Sequence, residues 1–449
     1  MGKILRDNTL KVPVMAGMLA GLLLFFSPSA FLLLSAAAVA LVILARMDIP
    51  LKEKQFVTYL FLAVLFIRMF LSASVYSFML TKGGEGSVFD DDVGWPRLGW
   101  ALYGTVTGEV DYTKLKNCEM LSVNEQRLKE GYLILIASAY GVIRSYSPLS
   151  AKYINVFLGA LSVVFLYGLA RRMLGERTAK YTAVCAAFFP SMTFWSIVSL
   201  KDTSCIFAIV LLFWCVDRYA REKVWKAFFI APLPLIFLFT IRKQLMYLVL
   251  FSVLTSCFVN LRMRYKVAWL IAGLVAAVLF LPAPVKAKAW GFIEGQISPR
   301  ACWVAQKGFV DSGGNTYRIF PDKYYEFLYP GPIETLETAK ALFKGLWYFL
   351  LAPFPWAVCN KSQLAIMPQM MLWYLMLPLA LKGIIFVMRT RFKRSVIVIS
   401  FVGAMTLFLA MREGNIGTLV RHRDQMTPYI IMFAAAGFIK LGTRSGDEL

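Results

Sequence analysis

Long apolar runs recur along the whole 449-residue chain, and they constrain its fold more than any other feature. Hydrophobic residues make up 59% of the sequence and charged residues 16%, so the chain is more apolar than a soluble domain. Runs of membrane-spanning length recur in every part of the chain, between short polar segments. The sequence therefore predicts an all-α integral membrane protein, a polytopic helical bundle of about 12 spans. Two long extracytoplasmic loops are expected to carry interfacial helices.

The basic residues predict the side of the membrane that each segment faces. The chain has 48 Lys and Arg against 26 Asp and Glu, a formal net charge of +22, and the bases lie in short clusters between apolar runs. Clusters such as Arg171-Arg172 and Arg389-Thr390-Arg391 follow the positive-inside pattern of membrane topology. A nucleic-acid partner is excluded because it would need a continuous basic face. Both termini are expected in the cytoplasm.

Four regions follow from the apolar runs and the charge pattern. They are an N-terminal helical hairpin at 1–55, a transmembrane core at 56–283 that includes an outer loop at 81–150, a second outer loop with an interfacial or re-entrant helix at 284–365, and C-terminal spans at 366–449. After the hairpin the expected spans are 56–79, 151–170, 179–197, 203–219, 226–240, 244–260, 267–283, 366–388, 395–411 and 425–442.

Three adjacent carboxylates, Asp90-Asp91-Asp92, stand out in the first polar loop of this basic chain. Residues 81–130 contain nine acidic and six basic residues, the reverse of the overall balance. Adjacent like charges raise each other's pKa unless something cationic offsets them. The triplet therefore predicts a solvated acidic loop, a bound cation, or a reaction that uses a carboxylate.

Several further charges are predicted on the same outer side, where the positive-inside rule does not explain them. They are Lys201, Asp202, Arg242, Lys243, Arg412, Arg421, His422 and Arg423. Charged groups at membrane depth are costly and are usually paired or functional. Each alone also fits a structural role, such as Asp202 as a helix N-cap or Lys243 as a snorkelling side chain. Together, bases and carboxylates at one membrane face favour a site for an anionic lipid head group.

Five motifs occur in order along the chain: Phe89-Asp90-Asp91, Leu169-Ala170-Arg171-Arg172-Met173-Leu174-Gly175, Ser199-Leu200-Lys201-Asp202, Arg242-Lys243 and Arg421-His422-Arg423. In this order they resemble the GT-C superfamily of integral membrane glycosyltransferases, especially its protein O-mannosyltransferase and aminoarabinose transferase branch (family 39-like). The resemblance implies transfer of a sugar from a polyprenyl-phosphate donor at the outer face of a bacterial inner membrane. It implies a saccharide, lipid or protein acceptor.

Under this resemblance Asp91 or Asp90 is the catalytic base, with Asp92 beside them, and the outer bases hold the lipid phosphate. The expected reaction is a direct displacement with inversion, which requires no cofactor. Asp90 and Asp92 as ligands of Mg²⁺ or Mn²⁺ remain an alternative. Two other functions remain open: an O-antigen polymerase or ligase, and a lipid-linked sugar flippase or transporter.

Overall fold

The computed structural model describes residues 27–46, 49–88, 90–109, 131–261, 316–322, 335–358 and 361–442. These residues are helical throughout, apart from turns, short links and an isolated antiparallel bridge between Thr316 and Asn415. The described helices up to residue 260 are α1 (Pro28–Ala45), α2 (Leu51–Thr81), α3 (Asp90–Thr107), α4 (Gly131–Ile143), α5 (Pro148–Leu174), α6 (Glu176–Phe188), α7 (Pro190–Ile197), α8 (Asp202–Glu222), α9 (Trp225–Ile230), α10 (Pro232–Ile241) and α11 (Lys243–Asn260). Those after residue 334 are α12 (Thr335–Leu351), α13 (Lys361–Thr390), α14 (Phe392–Arg412), α15 (Ile416–Arg423) and α16 (Thr427–Gly442).

Seven of the described helices are long and apolar enough to cross a membrane, and each coincides with a predicted span. Three other predicted spans are shorter: 179–197 is divided at Pro190, 226–240 is divided before Pro232, and the last helix has 16 residues. Proline ends a helix because it lacks the N–H donor and its ring crowds the preceding turn. The first arm of the hairpin and the span at 267–283 lie outside the described residues. The multi-pass helical fold is confirmed within the described ranges, and the count of twelve stays a prediction.

The chain forms two compact units. The first consists of the segments Met1–Tyr167, Ala183–Trp214 and Trp225–Lys243. The second consists of Gly168–Thr182, Cys215–Val224 and Gln244–Leu449. The described residues of the first unit contain the acidic triplet, and those of the second contain the basic residues near the C-terminus.

The acidic triplet begins a helix, although the sequence placed it in a polar outer loop. Helix α3 starts at Asp90 and continues through Pro96. Carboxylates in a first helical turn are stabilised by the positive end of the helix dipole. Helix α3 packs against α4, and Gly99 allows this close approach, since a Cβ there would lie 2.4 Å from Cγ2 of Ile136. The packing of α3 against α4 stabilises the helical conformation despite the glycines and the proline of this segment.

A buried arginine supports the helix break in the first unit. Arg68 lies within α2, is 1% exposed, and its Nη2 donates a 2.9 Å hydrogen bond to the carbonyl of Ala187. That carbonyl lies in the last turn of α6, just before Pro190, where the helical ladder is interrupted. A freed carbonyl in the membrane needs another donor, and the guanidinium supplies it.

Helices α13 and α16 of the second unit cross at two glycines. A Cβ on Gly383 would lie 1.9 Å from the carbonyl oxygen of Phe433, and a Cβ on Gly437 would lie 2.1 Å from that of Leu379. Membrane helices approach this closely only where small residues face each other. The two glycines therefore set the packing distance of this pair.

Candidate active site

A buried ion pair joins the acidic triplet to helix α5. Nζ of Lys152 lies 2.6 Å from Oδ2 of Asp92, and both side chains are 0% exposed. The backbone N–H of Val88 donates to the same oxygen at 3.0 Å. The backbone N–H of Ser199 donates to Oδ1 at 2.6 Å. A buried carboxylate needs such partners, and these three join the start of α3, helix α5 and the link between α7 and α8.

A second ion pair lies at the other end of that link. Asp202 is the first residue of α8 and is fully buried, while Arg242 separates α10 from α11. Nη2 of Arg242 donates to Oδ1 of Asp202 at 2.8 Å. These residues are 40 positions apart in the sequence. The pair therefore fixes the α10–α11 corner against the start of α8.

Asn155 and Tyr132 connect the two ion pairs. Nδ2 of Asn155 lies 2.7 Å from the carbonyls of both Val198 and Leu200, so it holds the link between α7 and α8 from both sides. The same nitrogen lies 3.1 Å from the hydroxyl of Tyr132, so its two hydrogens are shared among three acceptor oxygens. Burial raises the pKa of Tyr132 well above its usual value, and the charges of Asp92 and Asp202 raise it further. The phenol is therefore neutral between two carboxylates.

We refer to these residues together as the polar cluster: Asp92, Lys152, Asp202, Arg242, Asn155 and Tyr132. Lys201 borders it, with Nζ 5.0 Å from the ring centre of Trp95. The Trp95 ring in turn packs edge-on against Tyr132 at 5.7 Å. Lys201 is half-buried, so a cation remains at the edge of the cluster.

Two charged side chains next to the polar cluster are exposed. Asp91 precedes the buried Asp92 on α3 and is exposed, and Lys243 follows Arg242 and is also exposed. Nζ of Lys243 lies 5.4 Å from the ring centre of Phe239. The side chain of Asp90 is not among those that the structure describes. The carboxylate of Asp91 and the ammonium of Lys243 thus lie beside the two buried ion pairs. Both side chains are accessible to a ligand.

The predicted C-terminal site residues lie in the second unit. Nη1 of Arg423 donates to the carbonyls of Phe349 and Ala352, both at 3.0 Å. The guanidinium is buried, 4.7 Å from the ring centre of Trp373. These contacts give Arg423 a structural role in joining α12 to the last helices. A role in substrate binding stays a prediction.

The neighbours of Arg423 are more accessible. Nδ1 of His422 lies 2.7 Å from Oε1 of Glu413, and the guanidinium of Arg412 lies 5.3 Å from the ring centre of Phe408. Arg421 is half-buried. Whether Arg412, Arg421 and His422 act together with the polar cluster also stays a prediction.

A metal site at the triplet stays a prediction as well. Within the part of the chain that the structure describes, no group of three or more His, Cys, Asp or Glu is placed to hold a metal ion. Both oxygens of Asp92 accept hydrogen bonds, one of them from the Lys152 ammonium. A divalent cation at Asp92 would have to compete with that ammonium.

Sequence reasoning missed Lys152 and Arg68. Lys152 lies near the outer end of a predicted span, as the other outer charges do, so its position already indicates a paired or functional charge. Arg68 lies in the middle of an apolar run, where a charge is costly and informative. Asn155 and Tyr132 carry no such signal, because polar and aromatic residues are common near helix ends.

Comparison with known families supports the class. Residues 133–285 match the dolichyl-phosphate-mannose-protein mannosyltransferase family. This match supports a membrane glycosyltransferase of the GT-C type and confirms the resemblance seen in the motifs. No curated protein matches the chain significantly.

The mannosyltransferase match covers much of the polar cluster. It includes Lys152, Asn155, Asp202 and Arg242, together with the exposed Lys243. It begins after the acidic triplet and ends before the C-terminal basic residues. Within the acidic triplet, which lies outside the match, Asp92 is connected to the matched segment by its ion pair with Lys152.

Proposed function

We propose that this protein transfers a sugar from a polyprenyl-phosphate donor to an acceptor hydroxyl on the extracytoplasmic side, with inversion. The observation that carries the proposal is the exposed Asp91 beside the buried Asp92–Lys152 pair, in a cluster that also holds Arg242. The matched family is described by a lipid-phosphate sugar donor, which agrees with a basic site at a membrane face.

Asp91 is the proposed catalytic base. Its side chain is exposed, whereas Asp92 is fully buried in its ion pair with Lys152. Asp91 takes the proton of the acceptor hydroxyl as that oxygen attacks the anomeric carbon. The bond between the anomeric carbon and the phosphate oxygen breaks, and its electron pair leaves with the lipid phosphate. Such a base contributes about 10²–10⁴-fold to the rate.

Lys243 and Arg242 are proposed to hold the phosphate, with Lys201 at the edge of the site. Lys243 is exposed, and the ion pair with Asp202 fixes the orientation of Arg242. Negative charge grows on the phosphate oxygen as the sugar leaves, so preplaced cations stabilise the transition state. The anionic leaving group needs no acid catalyst. Arg412, Arg421, His422 and Arg423 remain candidates for further contacts with the donor.

A comparison of lipid-phosphate and nucleotide sugar donors distinguishes this proposed activity from that of a nucleotide-sugar transferase. Full-length protein in nanodiscs would receive a short-chain polyprenyl-phosphate mannose, the glucose analogue, or GDP-mannose. We expect lipid phosphate to be released from a lipid donor, with water or an added glycan as acceptor, and no turnover of GDP-mannose. The released sugar should show the inverted anomeric configuration by NMR.

The same preparation separates an enzyme from a flippase. In sealed vesicles, movement of the lipid-linked sugar between leaflets without cleavage would contradict the transferase proposal and support the transporter. Activity only on diphosphate-linked oligosaccharides would instead support the polymerase or ligase. Activity that survives EDTA would exclude the Mg²⁺ or Mn²⁺ alternative at Asp90 and Asp92.

A further inference from the structure

A concave surface lies in the first unit, beside the part of α3 that follows the triplet. The cleft has a volume of about 630 Å³. Its lining includes Tyr76 from α2, Arg97 and Trp100 from α3, and Tyr146 from the turn before α5. The proposed mechanism uses none of these residues.

Aromatic rings form one wall of this cleft. The ring centres of Trp100 and Tyr146 lie 6.0 Å apart. The fully buried Tyr140 lies behind both, 5.5 Å from Trp100 and 6.0 Å from Tyr146. Tyr146 itself is 43% exposed. The buried ring therefore fixes two aromatic side chains whose outer surfaces face the open cleft.

Charged and hydroxyl groups form the rim. Arg97 and Glu85 make an ion pair, and their side chains are 37% and 49% exposed. Burial raises the pKa of Tyr146, and the nearby Arg97 lowers it only in part, so the phenol keeps its proton at neutral pH. The rim thus offers a carboxylate acceptor, guanidinium donors and a phenol, with no net charge from the ion pair.

The segment that carries Glu85 is held over the aromatic wall by a glycine. Gly86 has φ +74°, and a Cβ there would lie 2.2 Å from the ring of Tyr76. Glycine permits both the left-handed backbone and the close contact with the ring. The segment before α3 therefore forms one side of the cleft, and Glu85 stays paired with Arg97 there.

We propose that this aromatic cleft binds a neutral saccharide chain, and that the chain is the acceptor of the transfer reaction. The apolar faces of sugar rings pack on Trp100 and Tyr146, while sugar hydroxyls bond to Glu85 and Arg97. The charge-balanced rim suits a ligand with many hydroxyls better than an anionic lipid head group. The acceptor role rests on the proposed function. Asp91 and Arg97 are both on α3, about 9 Å apart along the helix axis, so a chain bound in the cleft would need to extend only a short way along α3 to reach the base.

Saccharide binding can be measured without any donor lipid. Full-length protein in nanodiscs would be titrated with mannotriose, maltotriose and chitotriose, and with a Ser/Thr-rich hexapeptide, by saturation-transfer NMR. We expect at least one trisaccharide to bind, and Trp100→Ala and Tyr146→Ala to weaken it at least tenfold. Trp225→Ala, at an exposed tryptophan outside the cleft, is the matched control and should bind normally.

Glu85→Gln separates loss of binding from misfolding. It changes only an exposed group of the rim, so the fold should be retained while saccharide binding weakens. Binding of the hexapeptide instead of the sugars, with the same dependence on Trp100, would overturn the saccharide assignment. So would the absence of trisaccharide binding to the wild type at millimolar concentration. Asp91→Asn should lose transfer and keep saccharide binding, so failure of the catalytic proposal and failure of the cleft proposal give different results.

Discussion

Lys152 and Asp92 form a fully buried ion pair, and Asp91, the neighbour of Asp92, is exposed. The two adjacent carboxylates therefore differ in environment. The buried one holds three segments together, and the exposed one is the proposed catalytic base.

Removing one partner of the buried pair should destabilise the protein. Asp92→Asn leaves the Lys152 ammonium buried without its counter-charge, which costs about 3–5 kcal/mol. We expect a clear fall in the thermal unfolding midpoint in detergent. The double variant Asp92→Asn/Lys152→Met should recover part of the loss, because no unpaired charge remains. A midpoint equal to wild type for Asp92→Asn would show that the pair is not structural.

Lys243 should affect donor binding without affecting stability. Its side chain is exposed, and loss of a hydrogen bond to a charged group costs about 1.5–3 kcal/mol, or roughly 10- to 150-fold in affinity. We expect Lys243→Ala to weaken binding of a short-chain polyprenyl phosphate by that factor. Lys440→Ala is the matched control, since Lys440 is an exposed lysine over an aromatic ring, 5.5 Å from the centre of Phe386. Equal binding by both variants would limit Lys243 to anchoring the helix end.

Glycine packing between α13 and α16 should be intolerant of a methyl group. Gly437→Ala places a Cβ 2.1 Å from the backbone oxygen of Leu379, so the helices must separate, at a cost of about 1–3 kcal/mol. Gly403→Ala, in helix α14, has nothing within 4 Å of the new Cβ. It should be neutral or slightly stabilising, because alanine favours helix more than glycine does. Thermal unfolding of the two variants would test the difference. Equal stability would contradict the close crossing.

The proposed orientation can be tested by cysteine labelling. Lys82 follows α2 on the proposed outer side, and Glu222 ends α8 on the proposed cytoplasmic side; both are exposed. We expect Lys82→Cys to react with a membrane-impermeant maleimide in intact cells, and Glu222→Cys only after permeabilisation. The wild-type protein, labelled in the same way, is the control, because its native cysteines set the background labelling. The reverse pattern would invert the topology and place the polar cluster in the cytoplasm.

Hydrophobic length predicted the spans well because it is a property of the sequence alone. The seven long helices match predicted runs, whereas Pro190 and Pro232 divide two others. Helix α3 was not predicted, because Gly94 and Pro96 are typical of loops. Its helical state depends on packing against α4, and this tertiary contact cannot be read from local propensity.

Charge topology predicted that Asp202 and Arg242 would share a site, and they form an ion pair. It could not predict which acid of the triplet would be buried. Successive residues of a helix point about 100° apart, so the rotation of α3 decides that Asp92 faces Lys152 and Asp91 faces outwards. That rotation is set by the contact between α3 and α4.

Sugar transfer by Asp91→Asn provides the decisive test of the catalytic proposal. The variant removes the base and keeps the shape of an exposed side chain, so we expect transfer from the lipid-phosphate donor to fall by about 10²–10⁴-fold. The unfolding midpoint should not change. Asp322→Asn, at an exposed aspartate paired with Arg318, is the matched control and should keep full activity. Near wild-type transfer by Asp91→Asn would contradict Asp91 as the base.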